Sequence, residues 1–203
     1  MKLGRFIIRV LGPLVRCVMR TRVVGAENIP QTPGDPPLIL CCNHISNWDP
    51  VLLEVVQPRH VYFMAKAELF RNPLLAWFLG KQIGAFPVHR GKGDTGAIDT
   101  AKKLVSEGKM LGIFPEGTRS KDGQLLNPKS GAALITSRTG AHVLPVAVVT
   151  KGQKIRPFKP TTIVFGKPLS PAELKLDDPE SPNLRQASRR IMSAIAALME
   201  ENQ

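Results

Sequence analysis

The sequence predicts a single α/β domain, in which a mostly parallel central sheet is flanked by helices and preceded by an amphipathic helical segment. Three observations support this prediction. The length of 203 residues suits one domain with a proper hydrophobic core. Short apolar runs typical of buried strands alternate with helical segments along the chain. The sequence shows neither an internal repeat nor a second domain.

Residues 1–22 are predicted to form an amphipathic, membrane-binding helical segment, and residues 23–203 the α/β domain. On a helical wheel of about 100° per residue, basic side chains fall within an arc of roughly 60°. They are Lys2, Arg5, Arg9, Arg16 and Arg20. The opposite side carries Leu3, Phe6, Ile7, Val10, Leu11, Leu14, Cys17 and Val18. A cationic stripe opposite a broad apolar face is typical of a helix in a membrane interface.

The alternative for this segment is an amphipathic helix that packs on its own domain. Its cations argue against a transmembrane span, which needs about 20 apolar residues. They are also spread along the segment, and no small-residue cleavage site follows, so a signal peptide is not indicated. Gly12 and Pro13 are expected to kink the segment or divide it into two short helices.

The rest of the chain alternates between predicted strands and helices. Strands are expected at 23–25, Leu38–Cys42, Val61–Ala65, Ile83–Val88, Met110–Phe114, Val143–Val149 and Thr161–Phe165. Helices are expected at Pro50–Val56, 95–107, Lys129–Arg138 and from Ser181 or Asn183 to Glu201, with Asp49 and Asp94 as N-caps. The apolar stretch Leu69–Leu79 is too short to span a bilayer. It is expected to be a core helix, with a second membrane-facing surface as the alternative.

The chain is strongly basic, since 28 Lys and Arg residues against 16 Asp and Glu residues give a net charge of +12. This balance predicts a polyanionic partner: nucleic acid, an anionic membrane surface or a phosphorylated substrate. Only 5% of residues are aromatic, which argues against a stacking surface for single-stranded nucleic acid. Cys17, Cys41 and Cys42 fit neither a disulfide framework nor a zinc site, and we expect reduced core residues in a cytosolic compartment.

Polar side chains follow four predicted strands at their carboxyl ends. They are His44 and Asp49 after one strand, Lys66 after the next, Arg90 after a third, and Glu116 and Arg119 after a fourth. In open α/β sheets, ligands bind at this edge. The sequence therefore predicts a functional site there.

A histidine and an aspartate lie five residues apart after the Leu38–Cys42 strand. His44 can act as a general base when the carboxylate of Asp49 keeps one ring nitrogen protonated and oriented, because the other nitrogen then accepts a proton. Ser46 lacks the G-x-S-x-G context of a nucleophile elbow, so we expect a substrate hydroxyl as the nucleophile. In the alternative, Asp49 only caps the next helix and His44 is an ordinary loop residue. The two interpretations are compatible.

The four histidines are not arranged as metal ligands in the sequence, so we expect no metal site. They are His44, His60, His89 and His142.

Three cations at the predicted edge are candidates for binding an anion. They are Lys66, Arg90 and Arg119. Arginine matches phosphate oxygens in pairs, whereas lysine acts more as a point charge. The alternative is that all three are solvated surface residues. Glu116 is followed by Gly117 and Thr118, which suit a tight turn whose free backbone N–H groups can bind negative charge.

Four sequence blocks and one further segment carry a family resemblance. They are Asn43 to Asp49, Phe86 to Gly91, Phe114 to Ser120, Val143 to Ala147, and Lys66 to Leu69. Together they resemble the glycerophospholipid acyltransferase family, typified by the bacterial 1-acyl-sn-glycerol-3-phosphate acyltransferases. The resemblance extends from about Val24 to Leu169, and the first and third blocks are the most specific. His89 departs from the family pattern, in which many members carry an acidic residue there.

The resemblance implies transfer of an acyl group from a thioester to the sn-2 hydroxyl of lysophosphatidic acid, which gives phosphatidic acid without an acyl-enzyme. His44 would be the base, oriented by Asp49. By analogy, substrate binding would fall to Lys66, Arg90, Glu116, Gly117, Thr118 and Arg119. Acyl-CoA or acyl carrier protein would be a co-substrate, and no cofactor is expected.

The same resemblance implies a peripheral or monotopic protein on the cytoplasmic face of the cell membrane, with anionic lipid as a partner and no nucleic acid. Two alternatives stay open at this stage. The acceptor can be glycerol 3-phosphate or another lysolipid. The chain can also be a non-catalytic basic protein that binds membranes or nucleic acid.

Overall fold

A seven-stranded sheet organises the chain, with strand order β1-β7-β6-β2-β5-β3-β4. The computed structural model describes residues 2–30, 35–89, 94–152, 154–178 and 182–203. The strands are β1 Thr21–Val24, β2 Leu38–Cys42, β3 Val61–Lys66, β4 Phe86–Val88, β5 Met110–Ile113, β6 His142–Thr150 and β7 Thr161–Phe165. Every pair of neighbours is parallel except β6 and β7. The predicted α/β class with a mostly parallel sheet is confirmed.

Helices cover both faces of this sheet. They are α1 Lys2–Val18, α2 Asp49–Val55, α3 Pro73–Trp77, α4 Thr95–Ser106, α5 Gly131–Thr139 and α6 Leu184–Glu200. Strand β2 is buried along its whole length. Its residues alternate between two core clusters, because successive side chains point to opposite faces. Helices α1 and α2 contribute to one cluster, and helices α4, α5 and α6 to the other.

Helix α1 is continuous, so Gly12 and Pro13 do not divide it. It packs on α2 through Gly12, where an added Cβ would lie 3.5 Å from Cβ of Val55. Four apolar side chains of α1 stay exposed. They are Phe6 (65%), Val10 (57%), Leu11 (49%) and Leu14 (60%). The side chains of residues 1–5, Ile7 and Arg9, which include three members of the predicted basic stripe, lie outside the described part of the chain. The membrane role of residues 1–22 stays a prediction.

The predicted core helix over Leu69–Leu79 is wrong. The stretch is divided into a 3-10 turn at Ala67–Phe70, the short helix α3 and a π-helical turn at Phe78–Ile83. None of the side chains of α3 is buried, and Leu74 is 73% exposed. The π-helical turn contacts α1, so the two exposed apolar regions are neighbours. The geometry agrees with the alternative, an outward-facing apolar surface.

Other boundaries shift by a few residues. The strand expected from Ile83 begins at Phe86, because Ile83 ends the π-helical turn and Gly84 follows with a φ of 78°. Helix α5 begins at Gly131 rather than Lys129. Caps are confirmed where Asp94 accepts from the N–H of Ala97, and where Asn183 accepts from the N–H of Gln186. Ser181, the alternative start of α6, lies outside the described residues.

The cysteines divide between core and surface. Cys41 and Cys42 are buried in β2, as predicted, and burial raises the pKa of both thiols. Cys17 is exposed on α1, so its predicted place in the core is wrong. A helical position in an amphipathic segment does not by itself determine which face packs on the domain.

Candidate active site at the carboxyl edge of the sheet

Four parallel strands end side by side at one edge. In the sheet β2 pairs with β5, β5 with β3, and β3 with β4, all in parallel. Their carboxyl ends therefore place His44, Glu116 and Lys66 on neighbouring connections at the same edge. Arg90, which follows β4 and was predicted to bind the substrate, lies outside the described residues.

His44 and Asp49 form a buried hydrogen-bonded pair. Nδ1 of His44 lies 2.6 Å from Oδ2 of Asp49, and the aspartate is fully buried. The same Oδ2 accepts hydrogen bonds of 2.8 Å from the backbone N–H groups of Ile45 and Ser46. Three donors on one oxygen fix both the loop and the ring. Because the carboxylate accepts at Nδ1, this nitrogen carries the proton and Nε2 is left as the basic atom.

Asp49 is not the N-cap that the sequence predicted. It is the first residue of α2, and the capping position belongs to Trp48, whose side chain makes no cap hydrogen bond. The carboxylate of Asp49 points back to the loop that precedes the helix, where Ile45 and Ser46 supply the donors. The predicted pairing with His44 is thus present, whereas the predicted cap is wrong.

Phe114 holds the imidazole ring of His44 from one side. The two rings stack with centroids 4.0 Å apart and planes 18° from parallel. Phe63 stacks behind Phe114 at 5.9 Å. The side chain of His44 is 11% exposed, and Nε2 has no partner among the described residues and is not a buried atom. An aromatic face also favours the positive charge that His44 acquires when it accepts a proton. No role was predicted for Phe114 from its position in the sequence.

Glu116 is a positioning residue in the structure. It is 2% exposed, and its two oxygens accept from the backbone N–H groups of His44 at 2.8 Å and Leu126 at 3.0 Å. Burial raises the pKa of this carboxyl group. The N–H of Ser120 also donates to the carbonyl oxygen of His44 at 2.8 Å. Glu116 and Ser120 thus bind both the N–H and the C=O group of His44, which holds the loop after β5 against the loop after β2.

Gly117 closes a tight turn that begins at Phe114. Its φ is 70°, in the left-handed region that favours glycine, and its N–H donates to the carbonyl oxygen of Phe114 at 3.0 Å. Thr118 and Arg119 follow as exposed residues. Their backbone N–H groups donate to no residue in the described part of the chain. The turn therefore offers free donors beside the arginine.

Lys66 is the last residue of β3 and its side chain is 53% exposed. Its ammonium lies 3.3 Å from a carboxylate oxygen of Glu68. This pair is exposed and therefore weak, so it does not hold the ammonium group firmly in place. Lys66 and Arg119 are both accessible at the edge that carries His44.

Asn43 is a residue whose function the sequence analysis missed. Its side chain is buried and donates to the carbonyl oxygen of Val148 at 3.0 Å, while its oxygen accepts from the N–H of Val148 at 2.7 Å. Both amide atoms are thus used by the neighbouring strand β6. Asn43 fixes the end of β2 against β6, directly before His44. A polar residue at the end of a fully apolar strand was the only local signal.

Two further histidines are paired with carboxylates, so the pairing alone does not identify the site. Nδ1 of His60 lies 2.6 Å from Oε1 of Glu54. This pair lies at the amino end of β3, away from the ligand edge, and Nε2 of His60 is buried without a partner among the described residues. His89 lies 3.0 Å from Asp94 and its side chain is 71% exposed. Only His44 combines a buried partner with an available Nε2 at the edge of the four strands.

Asp94 has a structural task of its own. Its carboxylate accepts from the backbone N–H groups of His89 and Ala97 and from the imidazole of His89, and these bonds lower its pKa to about 2. The pair therefore fastens the start of α4 to the end of β4.

The described residues contain no group of three or more His, Cys, Asp or Glu side chains that could hold a metal ion. Among the same residues, no helix is both long enough and apolar enough to cross a membrane.

Comparison with known proteins places this geometry in a family. The sequence profile described as "Acyltransferase" matches residues 20–149. The 1-acyl-sn-glycerol-3-phosphate acyltransferase of Bacillus subtilis (strain 168) is 35% identical over 156 residues, which cover 75% of each chain. The protein of that name from Streptococcus pneumoniae (strain ATCC BAA-255 / R6) is 30% identical over 173 residues, which are 82% of this chain and 62% of that protein.

The fold also matches a solved structure. The crystal structure of the 1-acyl-sn-glycerophosphate acyltransferase from Thermotoga maritima superposes with a TM-score of 0.72 at 24% identity, and the match covers all of this chain and 82% of that one. The family profile covers most of the chain, and it includes the strands and loops that build the His44 site. The chain belongs to the acyltransferase family.

Proposed function

We propose that this protein transfers a fatty acyl group from an acyl thioester to the sn-2 hydroxyl of 1-acyl-glycerol-3-phosphate and releases phosphatidic acid. The observation that carries the proposal is the 2.6 Å contact between His44 and the buried Asp49, with Nε2 left available. The names of the similar proteins from Bacillus subtilis and Streptococcus pneumoniae support the choice of acceptor.

A substrate hydroxyl supplies the nucleophile in this scheme. Ser46 is the hydroxyl residue closest to His44 in the sequence, but its oxygen accepts from the N–H of Trp48 at 3.2 Å and makes no hydrogen bond with His44. A Ser–His pair is therefore not formed in the described part of the chain. Direct attack by the acceptor on the thioester follows, and no acyl-enzyme is needed.

In this scheme the proton of the acceptor hydroxyl passes through His44 to the leaving sulfur. Nε2 of His44 takes the proton of the sn-2 hydroxyl while the oxygen attacks the thioester carbonyl, and Asp49 stabilises the resulting imidazolium. The tetrahedral intermediate then expels the thiolate. His44 returns the proton to the sulfur, so that a free thiol and phosphatidic acid leave. The scheme uses no cofactor besides the thioester co-substrate, acyl-CoA or acyl carrier protein.

The acceptor phosphate is assigned to the cations at the ends of β3, β4 and β5. Lys66 and Arg119 are exposed at this edge, and the free N–H groups of Thr118 and Arg119 add donors. Arg90 is assigned to the same phosphate from the sequence alone. Glu116 and Gly117 act by shaping the turn that presents these groups.

We further propose that the protein is peripheral or monotopic at the cytoplasmic face of the membrane. Exposed apolar side chains lie on α1, including Phe6 and Leu14, and on α3, as Leu74 and Trp77; the π-helical turn contacts both helices. Two sets of exposed apolar side chains that are so near each other fit a lipid interface. The acceptor is itself a membrane lipid, so the active site must work at that interface.

The first experiment measures thiol release from acyl-CoA. We expect release that depends on lysophosphatidate and falls by roughly 10²–10⁴-fold in His44→Ala. His60→Ala is the matched control, because the imidazole of His60 also binds a carboxylate. Full activity in folded His44→Ala contradicts the mechanism. A panel with glycerol 3-phosphate and other lysolipids as acceptors, tested with both donors, decides between the substrates.

A second experiment tests the interface. Leu14→Glu and Leu74→Glu should each weaken binding to anionic vesicles, whereas Ala197→Glu, at an exposed position of α6, should not. These point changes are preferable to deletion of residues 1–22, which would also remove the buried Met19 and part of β1. Unchanged vesicle binding in both leucine variants contradicts the assignment. A nucleic-acid binder would instead show salt-dependent affinity for DNA or RNA that is indifferent to His44.

A further inference from the structure

A cavity of about 620 Å³ lies on the β6 side of the loop that carries His44. Its inner wall includes Asn43 and Ile45, the residues on either side of His44 in the chain. Val149 and Met199 contribute apolar surface, Gln124 contributes an amide, and the exposed Lys151 forms part of the rim. The volume is in the range of sites that bind small molecules, which is roughly 300–1,000 Å³. Asn43 and Ile45 thus bring the wall of the cavity to the loop that carries His44, whose own side chain does not line it.

The cavity and the cations Lys66 and Arg119 lie on opposite sides of β2. Strands β5, β3 and β4 lie on one side of β2, and their ends carry Lys66 and Arg119. Strand β6 lies on the other side of β2, and the cavity is at its carboxyl end. Two substrates must meet at His44 in the proposed reaction. If the acceptor phosphate occupies the side of β5, β3 and β4, the side of β6 is left for the acyl donor.

The wall of the cavity is fixed rather than loose. Both amide atoms of Asn43 are bound to the backbone of Val148, so the inner end keeps its shape without a ligand. At the rim, Lys151 forms no ion pair with any described residue, including Glu200, which also lines the cavity. A free ammonium at the mouth of a lined cavity is suited to an anionic group.

We propose that this cavity binds the phosphopantetheine arm of the acyl donor, with the phosphate at Lys151 and the thioester at the Asn43–Ile45 end. The inference rests on the proposed acyl transfer. Pantetheine alternates amides with methylene and methyl groups, which matches a wall of mixed apolar and amide side chains. The arm and its phosphate are common to coenzyme A and to acyl carrier protein, so the site serves either donor.

The test uses the full chain and two cavity variants. Lys151→Glu reverses the charge at the rim, and Met199→Trp fills the cavity from α6. The matched controls are Arg189→Glu and Ala197→Trp, which make the same changes at exposed positions of α6 outside the cavity. Calorimetry measures the Kd of coenzyme A and of holo-carrier protein, and steady-state kinetics measures the KM of each acyl donor and of lysophosphatidate.

We expect Lys151→Glu to raise the Kd and the donor KM about tenfold, and Met199→Trp to raise them further, with the KM of lysophosphatidate and both controls unchanged. Equal effects with both donors identify the shared phosphate. If the wild-type protein binds only one donor, the effect appears with that donor and identifies it, whereas an effect on only one of two donors that both bind overturns the assignment of the shared arm. Donor binding within twofold of wild type in both cavity variants overturns the proposal, as does an effect confined to the KM of lysophosphatidate.

The same measurements separate this inference from the proposed function. Wild-type protein that binds coenzyme A in the cavity but transfers no acyl group would refute the acyl transfer and leave the site standing. Normal acyl transfer with unaltered donor binding in Lys151→Glu and Met199→Trp would refute the site and leave the acyl transfer standing.

Discussion

Asp49→Asn should separate the orientation of His44 from the stabilisation of its charge. Oδ2 of Asp49 accepts three hydrogen bonds, whereas Oδ1 is buried without a partner among the described residues. An asparagine can place its carbonyl oxygen at the Oδ2 position and its NH₂ at the Oδ1 position. The opposite orientation of the asparagine amide would place its NH₂ group against the three hydrogen-bond donors, so it is disfavoured. The variant should therefore keep the loop, the tautomer of His44 and the fold.

Only the negative charge is then lost, and its effect on the rate can be calculated. For charge centres about 4 Å apart and an effective dielectric constant of about 20, Coulomb's law gives about 4 kcal/mol. The imidazolium forms only as the proton is transferred, so this energy is lost from the transition state. We expect kcat to fall by roughly 10³-fold, while the KM of both substrates stays within about twofold.

The assay is steady-state thiol release, with thermal melting as the test of folding. Asp49→Ala removes all three hydrogen bonds and should lose both activity and melting temperature, because two backbone N–H groups are left without their acceptor. If Asp49→Asn keeps more than a third of the wild-type kcat, the carboxylate does not stabilise charge on His44. If its melting temperature falls as far as that of Asp49→Ala, the amide does not adopt the orientation deduced from the three donors.

Three further predictions concern stability and the loop after β5. Gly140→Ala should lower the melting temperature by about 2–4 °C, and Gly84→Ala by at least twice as much. Both glycines have a positive φ, but only a Cβ added at Gly84 would overlap a ring nitrogen of His60. Equal shifts would show that the overlap is relieved without cost. Hydrogen bonds lower the pKa of Asp94 to about 2, below the value of about 3.9 for unfolded chains. Its stabilising effect is thus present above about pH 4 and lost as the pH falls to 2. The difference in melting temperature between wild type and Asp94→Asn should therefore shrink over that interval in salt-matched buffers, and a constant difference would contradict the linkage. Glu116→Gln should lower kcat about tenfold, because the single side-chain oxygen of glutamine can accept from the backbone N–H of His44 or of Leu126 but not from both. An unchanged kcat would show that this loop does not position His44.

The sequence and the structure agree best where one local pattern determines burial. The apolar run Leu38–Cys42 is flanked by turn and loop residues, and it forms the fully buried strand β2. The spacing of His44 and Asp49 in the connection after it brings them into contact, because a short loop limits how far apart the two side chains can lie. The parallel arrangement of the strands then follows from the alternation of strands and helices.

The apolar stretch Leu69–Leu79 shows where local pattern is insufficient. The same composition is compatible with a core helix and with an exposed surface, because apolar character does not state what covers it. In the structure this stretch forms a 3-10 turn, the short helix α3 and a π-helical turn; the π-helical turn contacts α1, and Leu74 and Trp77 are exposed. Cys17 was assigned to the core for the same reason and lies on the exposed side of α1.

By itself, the sequence determined the fold class, the edge of the sheet at which the site lies and the family to which the chain belongs. The tertiary structure decided how the His44 site is held together. The hydrogen bonds from His44 to Glu116 and from Asn43 to Val148 join residues that are 72 and 105 positions apart. Strand order brings these residues together, and a contact of that range leaves no periodicity or spacing in the sequence from which it could be inferred. The stacking of Phe114 on His44 and the cavity beside β6 arise in the same way, from the pairing of β2 with β5 and β6.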